Sequence, residues 1–192
     1  MSQARKQIMR VVVTGPVGAG KTTFINTISE IETVGTDRRA TDETAQMKAS
    51  TTVAMDFGRL NFGPEMSLHL YGTPGQERFN FMWDIFLRNA HGVVVLVPAH
   101  RPKDFYAVSR IMRYATQRAP NAPMLIAATH SDVEGAWPVE DILPALGIDA
   151  ETSKIPTLPI NATAINDVAK TLIVLVEQYA ARMSLANSAS SH

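Results

Sequence analysis

Apolar runs alternate with amphipathic stretches along the chain, which is the pattern of an α/β protein with a mostly parallel sheet. The runs predict six strands, over residues 8–14, 53–60, 66–71, 92–97, 123–129 and 157–161. The amphipathic stretches predict five helices, over residues 20–29, 79–88, 103–118, 138–146 and 165–182. The last of these helices places Val168, Leu172, Leu175, Val176 and Tyr179 on one face, as expected of a helix that packs on a sheet.

The second and third predicted strands are joined by a segment rich in turn residues, Asn61-Phe62-Gly63-Pro64-Glu65. A short Gly-Pro connection of this kind favours an antiparallel hairpin. We therefore predict a mostly parallel six-stranded sheet with one antiparallel edge strand and helices on both faces. Residues 30–51 are polar and show little apolar periodicity, and a connection of that length in a compact domain is usually functional or mobile.

The chain shows no internal repeat and no linker that would divide it into parts. Its 192 residues fit one domain. We assign residues 1–183 to that domain. Residues 184–192 are small and polar, and we assign them to a flexible C-terminal tail.

Composition argues against several kinds of partner and anchor. Eighteen basic residues match eighteen acidic ones, and the formal charge of zero argues against a strong grip on nucleic acid or on an anionic membrane. The chain has no cysteine, which removes disulfides, thiolate chemistry and S-lipidation. No apolar run approaches the roughly 18 residues of a membrane span. We expect a soluble, cytoplasmic monomer with no membrane anchor of its own and no nucleic-acid partner, recruited to membranes only by other proteins.

A complete phosphate-binding motif follows the first strand. Residues Gly15-Pro16-Val17-Gly18-Ala19-Gly20-Lys21-Thr22 fit G-x-x-x-x-G-K-[ST] without a mismatch. The glycines let backbone N–H groups turn toward phosphate oxygens, and the next helix points its positive end there. Lys21 supplies a cation for the β- and γ-phosphates, and Thr22 offers a hydroxyl to Mg²⁺. The motif predicts a nucleoside triphosphate site formed by Gly15, Val17, Gly18, Ala19, Gly20, Lys21, Thr22 and Thr23.

Four further segments follow this P-loop motif: Thr52-Val53-Ala54-Met55-Asp56-Phe57, Thr73-Pro74-Gly75-Gln76-Glu77-Arg78-Phe79, Thr129-His130-Ser131-Asp132 and Asn161-Ala162-Thr163. Their order resembles that of the Ras-like small GTPases, and most of all that of the bacterial MglA-type and conservon-associated GTPases. The resemblance covers residues 8–180. It implies a P-loop NTPase fold of the Ras-like G-domain type, which binds GTP or GDP together with Mg²⁺.

The resemblance also implies a role for residues in each segment. Thr52 matches the switch I threonine that closes over Mg²⁺ and the γ-phosphate. Gly75 matches the switch II glycine that contacts the γ-phosphate, and Gln76 matches the glutamine that orients the attacking water. The guanine-reading positions are Thr129, His130 and Asp132, and the loop whose backbone amide meets the O6 of the base is Asn161, Ala162 and Thr163. The implied partners are a Roadblock/LC7-type (MglB-like) regulator and downstream protein effectors.

One departure from the resemblance concerns the metal. Most small GTPases have an aspartate where this chain has Gly72, and that aspartate holds Mg²⁺ through water. If the hairpin turn centres between residues 63 and 64, Asp56 pairs with Tyr71 and lies diagonal to Gly72. We hypothesise that the carboxylate has moved to the neighbouring strand, so that Thr22, Thr52 and Asp56 serve the metal. An ordinary solvated Asp56 is the alternative.

The other departures concern base reading and catalysis. His130 replaces the usual lysine, but Asp132 can still accept from the N1–H and the 2-amino group of guanine, a pair that adenine does not offer. For hydrolysis, Lys21 supplies positive charge and Gln76 places the water. Arg38 or Arg39, in the polar first loop, can add charge in cis, and the alternative is that both are solvated or contact a partner.

The segment over residues 79–87 is too apolar on all sides for a surface helix, so part of it must pack on the sheet. We expect the remainder, Phe79, Met82 and Trp83, to form a patch that becomes exposed when switch II rearranges. Methionine and tryptophan suit partner recognition, so this patch is a candidate docking surface.

The leading interpretation is a molecular switch in signalling or polarity regulation that binds GTP and hydrolyses it slowly without an activator. One alternative is a nucleotide-binding scaffold with little hydrolysis, which Gly72 favours. The other is a P-loop kinase of a small metabolite. Arg110, Arg113 and Arg118 could bind the acceptor of such a kinase, although their pattern is typical of a solvated helix face.

Overall fold

The computed structural model describes residues 6–32, 34–35, 55–74, 80–149, 151 and 153–189. Within these ranges the strands are β1 (Gln7–Thr14), β2 (Val34–Gly35), β3 (Asp56–Phe62), β4 (Met66–Gly72), β5 (Gly92–Pro98), β6 (Met124–Thr129) and β7 (Thr157–Ile160). The helices are α1 (Lys21–Ile28), α2 (Asn80–Leu87), α3 (Phe105–Arg118), α4 (Val139–Ala145) and α5 (Ile165–Ala189), with a 3-10 turn at Pro102–Asp104 before α3. All six predicted strands and all five predicted helices are present.

One mixed sheet carries the described strands, in the order β2-β3-β4-β1-β5-β6-β7. Strands β4, β1, β5, β6 and β7 run parallel, and β3 runs antiparallel to β4, as predicted. The two-residue strand β2 pairs antiparallel with β3, so β3 is not the outermost strand that we predicted. A strand of two residues is too short to produce a period-two pattern, so β2 was not predicted.

Two apolar cores lie on opposite faces of the sheet, because consecutive strand residues point to opposite sides. In β1, Val12 joins the core that packs against α3 and α4, whereas Val11 and Val13 join the core that packs against α1 and α5. The strand β5 is buried along its whole length, as expected of a central parallel strand covered on both faces. The α/β prediction with helices on both faces is therefore confirmed.

The β3–β4 hairpin has a register one residue away from the predicted one. Phe62 pairs with Met66 across a three-residue turn, whose Gly63 has φ +69°. The turn therefore centres on Pro64, and Asp56 lies opposite Gly72 rather than opposite Tyr71. The prediction placed the centre of the turn between residues 63 and 64, but a three-residue loop with a left-handed glycine is equally compatible with the Gly-Pro sequence.

Two segments differ from their predicted character. The helix α5 continues to Ala189, six residues beyond position 183, so residues 184–189 of the predicted tail are helical. The hydroxyls of Ser184 and Ser188 donate to the carbonyls of Ala180 and Leu185, which shows how small polar residues are accommodated there. Trp83 is only 5% exposed and belongs to the core, whereas Ile85 on the same helix is exposed. Trp83 is thus not part of an exposed patch in this structure, and the side chains of Phe79 and Met82 lie outside the described residues, so the patch exposed by switch II rearrangement stays a prediction.

No helix in the described part of the chain combines the length and the apolar character needed to cross a membrane.

Candidate nucleotide site

The P-loop leaves the carboxyl end of β1 and turns sharply into α1. Gly15, Gly18 and Gly20 have φ values of +148°, +72° and +97°, a region that side chains rarely allow. A Cβ on Gly15 would lie 2.5 Å from the carbonyl oxygen of Leu96, so the loop can pass this close to β5 only with glycine. The motif thus adopts the strand–loop–helix form that places backbone N–H groups and a helix N-terminus around an anion.

The Lys21 side chain folds back over this loop. It is 9% exposed, and Nζ donates to the carbonyl oxygens of Gly15 at 2.9 Å and Pro16 at 2.8 Å. Burial lowers the pKa of Lys21 from 10.5 to about 8, with a further lowering from Arg101 and an opposing effect from Asp56. Lys21 is therefore a cation at neutral pH that lacks a full counter-charge, and a phosphate group would supply one.

Asp56 reaches the P-loop from the first residue of β3. Its Oδ2 accepts a hydrogen bond of 2.6 Å from the Thr22 hydroxyl. On the facing strand, a Cβ at Gly72 would lie 3.0 Å from the Cβ of Asp56 and 3.2 Å from its Oδ2. A side chain at position 72 would therefore crowd Asp56, and glycine leaves it room. The hydroxyl and carboxylate oxygens are the type of ligand that Mg²⁺ prefers, so the residues present fit a magnesium site.

The start of the switch II segment is fixed to the core. The hydroxyl of Thr73, 4% exposed, donates to the hydroxyl of Thr14 at 2.9 Å, and its backbone N–H donates to the carbonyl of Val13. The indole Nε1 of Trp83 donates to the carbonyl of Pro74 at 3.2 Å. Trp83 therefore ties α2 to the last described residue before the predicted Gly75 and Gln76.

The segment after β6 is joined to the P-loop through Thr129. The Thr129 hydroxyl donates to the carbonyl of Ala19 at 3.0 Å. His130 follows with φ +57°, and its Nδ1 lies 3.1 Å from the same hydroxyl oxygen. The imidazole is thereby held against the Thr129 hydroxyl. Burial, the neighbouring His100 and Arg101 lower the pKa of His130, so the ring is neutral at pH 7.

The loop after β7 is held in one conformation by its own side chains. Asn161 Oδ1 accepts from the backbone N–H of Thr163 at 2.9 Å and from its hydroxyl at 2.7 Å. The Thr27 hydroxyl on α1 donates to the carbonyl of Ala162 at 2.7 Å. The loop is therefore held by its own hydrogen bonds and is attached to the helix that begins at the P-loop.

A cavity of about 210 Å³ joins these three loops. It is lined by Gly20, Thr23, Thr129, His130, Asp132, Val133, Asn161, Ala162 and Thr163. The exposed Asp132 and Asn161 also border a neighbouring shallow depression of about 390 Å³. Every predicted base-reading residue thus lies beside the end of the P-loop. The roles of these residues stay predictions.

Two residues beside the site were not predicted. His100 and Arg101 follow β5, and the His100 and His130 rings lie 4.5 Å apart. Arg101 Nη2 donates to the carbonyl of Val17 in the P-loop at 2.7 Å. Their place just beyond the carboxyl end of a central strand was the available signal, because ligands of open parallel sheets bind at that edge.

Five predicted site residues lie outside the described residues: Arg38, Arg39, Thr52, Gly75 and Gln76. Their roles in metal binding, γ-phosphate contact and catalysis stay predictions.

Comparison with known proteins gives a family and a fold. The model of a family described as "conserved hypothetical ATP binding protein" matches residues 31–143. An uncharacterised protein of Methanocaldococcus jannaschii is 32% identical over 97 residues, which are 50% of this chain and 55% of that protein. The human Ras-related protein Rab-12 is 25% identical over 130 residues, which are 66% of this chain and 48% of that protein.

Among solved structures, the small GTPase Arl6 (BBS3) of Trypanosoma brucei, with a bound nucleotide analogue GppNp, superposes with a TM-score of 0.67 at 18% identity. The superposition covers 92% of this chain and 99% of that one. The chain spans about half the length of the curated relatives it matches. The chain belongs to the family described as "conserved hypothetical ATP binding protein", has the small-GTPase fold and falls within the Ras-like small GTPase superfamily.

Proposed function

We propose that the protein is a GTP-binding switch that hydrolyses GTP slowly to GDP and phosphate. The observation that carries this proposal is the shared cavity, in which Gly20 and Thr23 of the P-loop segment line the same space as Asp132 and the Asn161–Thr163 loop. A nucleotide whose base occupies that cavity has its phosphates at the P-loop. The small-GTPase fold and the Ras-related names of several relatives support the same function.

The proposed base is guanine, although the matching family is described as ATP-binding. The Asp132 carboxylate can accept two hydrogen bonds from the N1–H and the 2-amino group of guanine, whereas adenine has no N1–H to donate. His130, whose pKa is lowered by burial, adds no charge to this edge of the cavity at neutral pH. We therefore assign the choice of base to Asp132, with Asn161, Ala162 and Thr163 forming the opposite side.

The proposed metal is Mg²⁺, held by Thr22 and Asp56 and, from the undescribed segment, by Thr52. Bound there, Mg²⁺ would neutralise charge on the β- and γ-phosphates. The contact between Thr22 and Asp56 and the clearance at Gly72 support this assignment. This contact and this clearance favour an Asp56 carboxylate that serves the metal over an Asp56 that is only solvated.

Hydrolysis in this proposal depends on charge and positioning. Lys21 and the P-loop amides face the phosphates, and Gln76 orients the attacking water. Arg38 or Arg39 would add charge in cis when the first loop closes. When the γ-phosphate leaves, Thr52 and Gly75 lose a hydrogen-bond partner, so the two loops relax. Since Trp83 fixes Pro74, we infer that the motion of switch II begins after Pro74.

The proposed partners are a Roadblock/LC7-type, MglB-like regulator that accelerates hydrolysis, and effectors that bind the GTP form. These assignments, and a place among the MglA-type bacterial GTPases, rest on the sequence resemblance. We propose that the protein works in the cytoplasm as a monomer and reaches membranes only through partners.

The test is to measure the affinities for GTP, GDP and ATP with Mg²⁺, together with phosphate release. We expect guanine nucleotides to bind more tightly than ATP, and GTP to be hydrolysed slowly. Tight GTP binding without phosphate release, with or without a Roadblock-type partner, would instead favour the nucleotide-binding scaffold. Phosphoryl transfer to a metabolite would favour the kinase.

A further inference from the structure

We propose that Arg101 is a second cation of the phosphate site, which fixes the outer turn of the P-loop at Val17 and Gly18 and slows the release of a bound nucleotide. This inference rests on the proposed function, because it requires a nucleotide in the P-loop. Arg101 belongs to none of the sequence motifs described above. It acts on the nucleotide through the loop and is therefore a positioning residue.

The guanidinium is held by two polar contacts at one of its nitrogens. Nη2 donates to the carbonyl of Val17 at 2.7 Å and forms an ion pair at 2.9 Å with Oδ2 of Asp104, the last residue of the following 3-10 turn. Asp104 thereby aims the guanidinium at the P-loop from a neighbouring element, and the side chain is only 28% exposed.

Gly18 provides the space that this arrangement needs. A Cβ at Gly18 would lie 3.1 Å from Nη1 and 3.8 Å from Cζ of Arg101, so the planar fork lies directly against the loop. Within the described residues, the Nε of Arg101 is buried without a hydrogen-bond partner. The guanidinium thus keeps donor capacity beside a loop built to surround an anion.

The positive charge of Arg101 acts on one residue of the P-loop and on one residue of the base-reading segment. It lowers the pKa of Lys21 in the P-loop and the pKa of His130 in the base-reading segment. Arg101 and Lys21 are like charges beside the same loop and repel each other. A nucleoside di- or triphosphate supplies negative charge to both, so its binding relieves this repulsion.

The test compares Arg101→Met with the matched control Arg113→Met, which removes the same charge from an exposed position on α3. The measurement is the dissociation rate of N-methylanthraniloyl-GDP from the full chain with Mg²⁺. We expect Arg101→Met to release the nucleotide about tenfold faster, because a hydrogen bond from a charged group is lost. Arg113→Met should match the wild type.

A second readout separates this role from general destabilisation. Hydrogen–deuterium exchange of the P-loop amides should become faster in Arg101→Met, because the loop loses its contact at Val17, and stay unchanged in Arg113→Met. Exchange in the buried strand β5 should stay unchanged in both variants. Arg101→Lys keeps a charge but loses the planar fork, and we expect it to release the nucleotide faster than the wild type, with P-loop exchange also faster.

The outcomes are distinct. An unchanged dissociation rate in Arg101→Met would overturn the inference, and so would an equal acceleration in Arg113→Met. If Arg101→Met does not fold, the Arg101→Lys rate decides: a rate above the wild type supports the inference, and an equal rate overturns it. A wild-type protein that binds no guanine nucleotide would contradict the proposed function, and the exchange rates of the P-loop amides would still report whether Arg101 acts on the loop.

Discussion

Asp56 and Gly72 face each other across the β3–β4 ladder, and the space left by Gly72 is the space that Asp56 uses to reach Thr22. A Cβ at Gly72 would lie 3.0 Å from the Cβ of Asp56 and 3.2 Å from its Oδ2, so a side chain at position 72 would crowd the Asp56 carboxylate. A carboxylate introduced at position 72 would start from the residue directly opposite Asp56.

The first prediction concerns this pair. Asp56→Ala should lower the affinity for GTP at limiting Mg²⁺ by about 10- to 100-fold, the usual cost of losing a group that supports a metal. The double variant Asp56→Ala/Gly72→Asp should recover part of that loss, because it returns a carboxylate from the facing strand. A titration of GTP binding against Mg²⁺ measures both.

The control for this prediction is Asp141→Ala, which removes an exposed carboxylate from α4. It should bind GTP like the wild type at every Mg²⁺ concentration. An Asp56→Ala protein that also binds like the wild type at low Mg²⁺ would show that Asp56 is an ordinary solvated side chain.

The second prediction concerns the pH dependence of the protein without nucleotide. The pKa of Lys21 is lowered from 10.5 to about 8 in the folded state. The unfolded chain therefore binds more protons between these values, and the free energy of unfolding should rise with pH from about 8 to 10.5, by roughly 3 kcal/mol at most. Urea unfolding at several pH values measures this, and Lys21→Met should remove the rise.

The same shift predicts that nucleotide binding takes up a proton above pH 8. The phosphates stabilise the charged form of Lys21, so the bound state should be protonated where the free state is not. Calorimetric titration in buffers of different ionisation enthalpy, at about pH 9, measures the uptake. An uptake that persists in a Lys21→Met variant that still binds would assign the proton to another group.

The third prediction concerns base selection. Asp132→Asn should weaken GTP binding by about 100-fold or more, because the carboxylate that accepts two hydrogen bonds is lost. The new amide can donate to the 2-oxo group of xanthine, so the variant should prefer xanthosine triphosphate. Competition binding with GTP, XTP and ATP measures the change. Glu134→Gln alters an exposed carboxylate two residues away and should leave all three affinities unchanged.

The fourth prediction uses the hydrogen bond between Trp83 and Pro74 as a reporter of switch II. The chain has two tryptophans, so the Trp137→Phe variant keeps Trp83 as its only tryptophan. Exchange of bound GDP for a non-hydrolysable GTP analogue should then change the fluorescence emission of Trp83. The reason is that Trp83 is hydrogen-bonded to Pro74, the residue directly before Gly75 of the switch II segment. The Trp83→Phe protein should lack that change and should lose about 1–3 kcal/mol of stability, because the carbonyl of Pro74 loses its donor. Identical Trp83 spectra in the two nucleotide states would contradict this.

Sequence patterns predicted the fold well where the signal is long and periodic. The continuous apolar run of β5 and the apolar face of α5 are each sufficient to predict that strand and that helix. The P-loop motif likewise predicts its strand–loop–helix geometry. The hairpin register was missed by one residue because the Gly63-Pro64 sequence fits turns of more than one length. A single step of register decides whether Asp56 faces Tyr71 or Gly72.

The candidate site was less predictable where it depends on tertiary contacts. Arg101 lies more than eighty positions from Val17 and belongs to no motif, so its approach to the P-loop depends on the β1–β5 pairing and on the turn held by Asp104. The burial of Trp83 could not be read from a helix that is apolar on all sides, because such a helix has no face that periodicity can assign to the core.

The central claim is that the P-loop and the Asp132 cavity hold one guanine nucleotide whose γ-phosphate is lost slowly. The most direct measurement incubates the purified full chain with GTP and Mg²⁺ and follows bound nucleotide and released phosphate together. We predict tight GTP binding, weaker ATP binding, and conversion of bound GTP to GDP that Lys21→Met abolishes. No measurable GTP binding in the presence of Mg²⁺ would contradict the account. A clear preference for ATP would be compatible with the phosphate site but would contradict the assignment of guanine as the base.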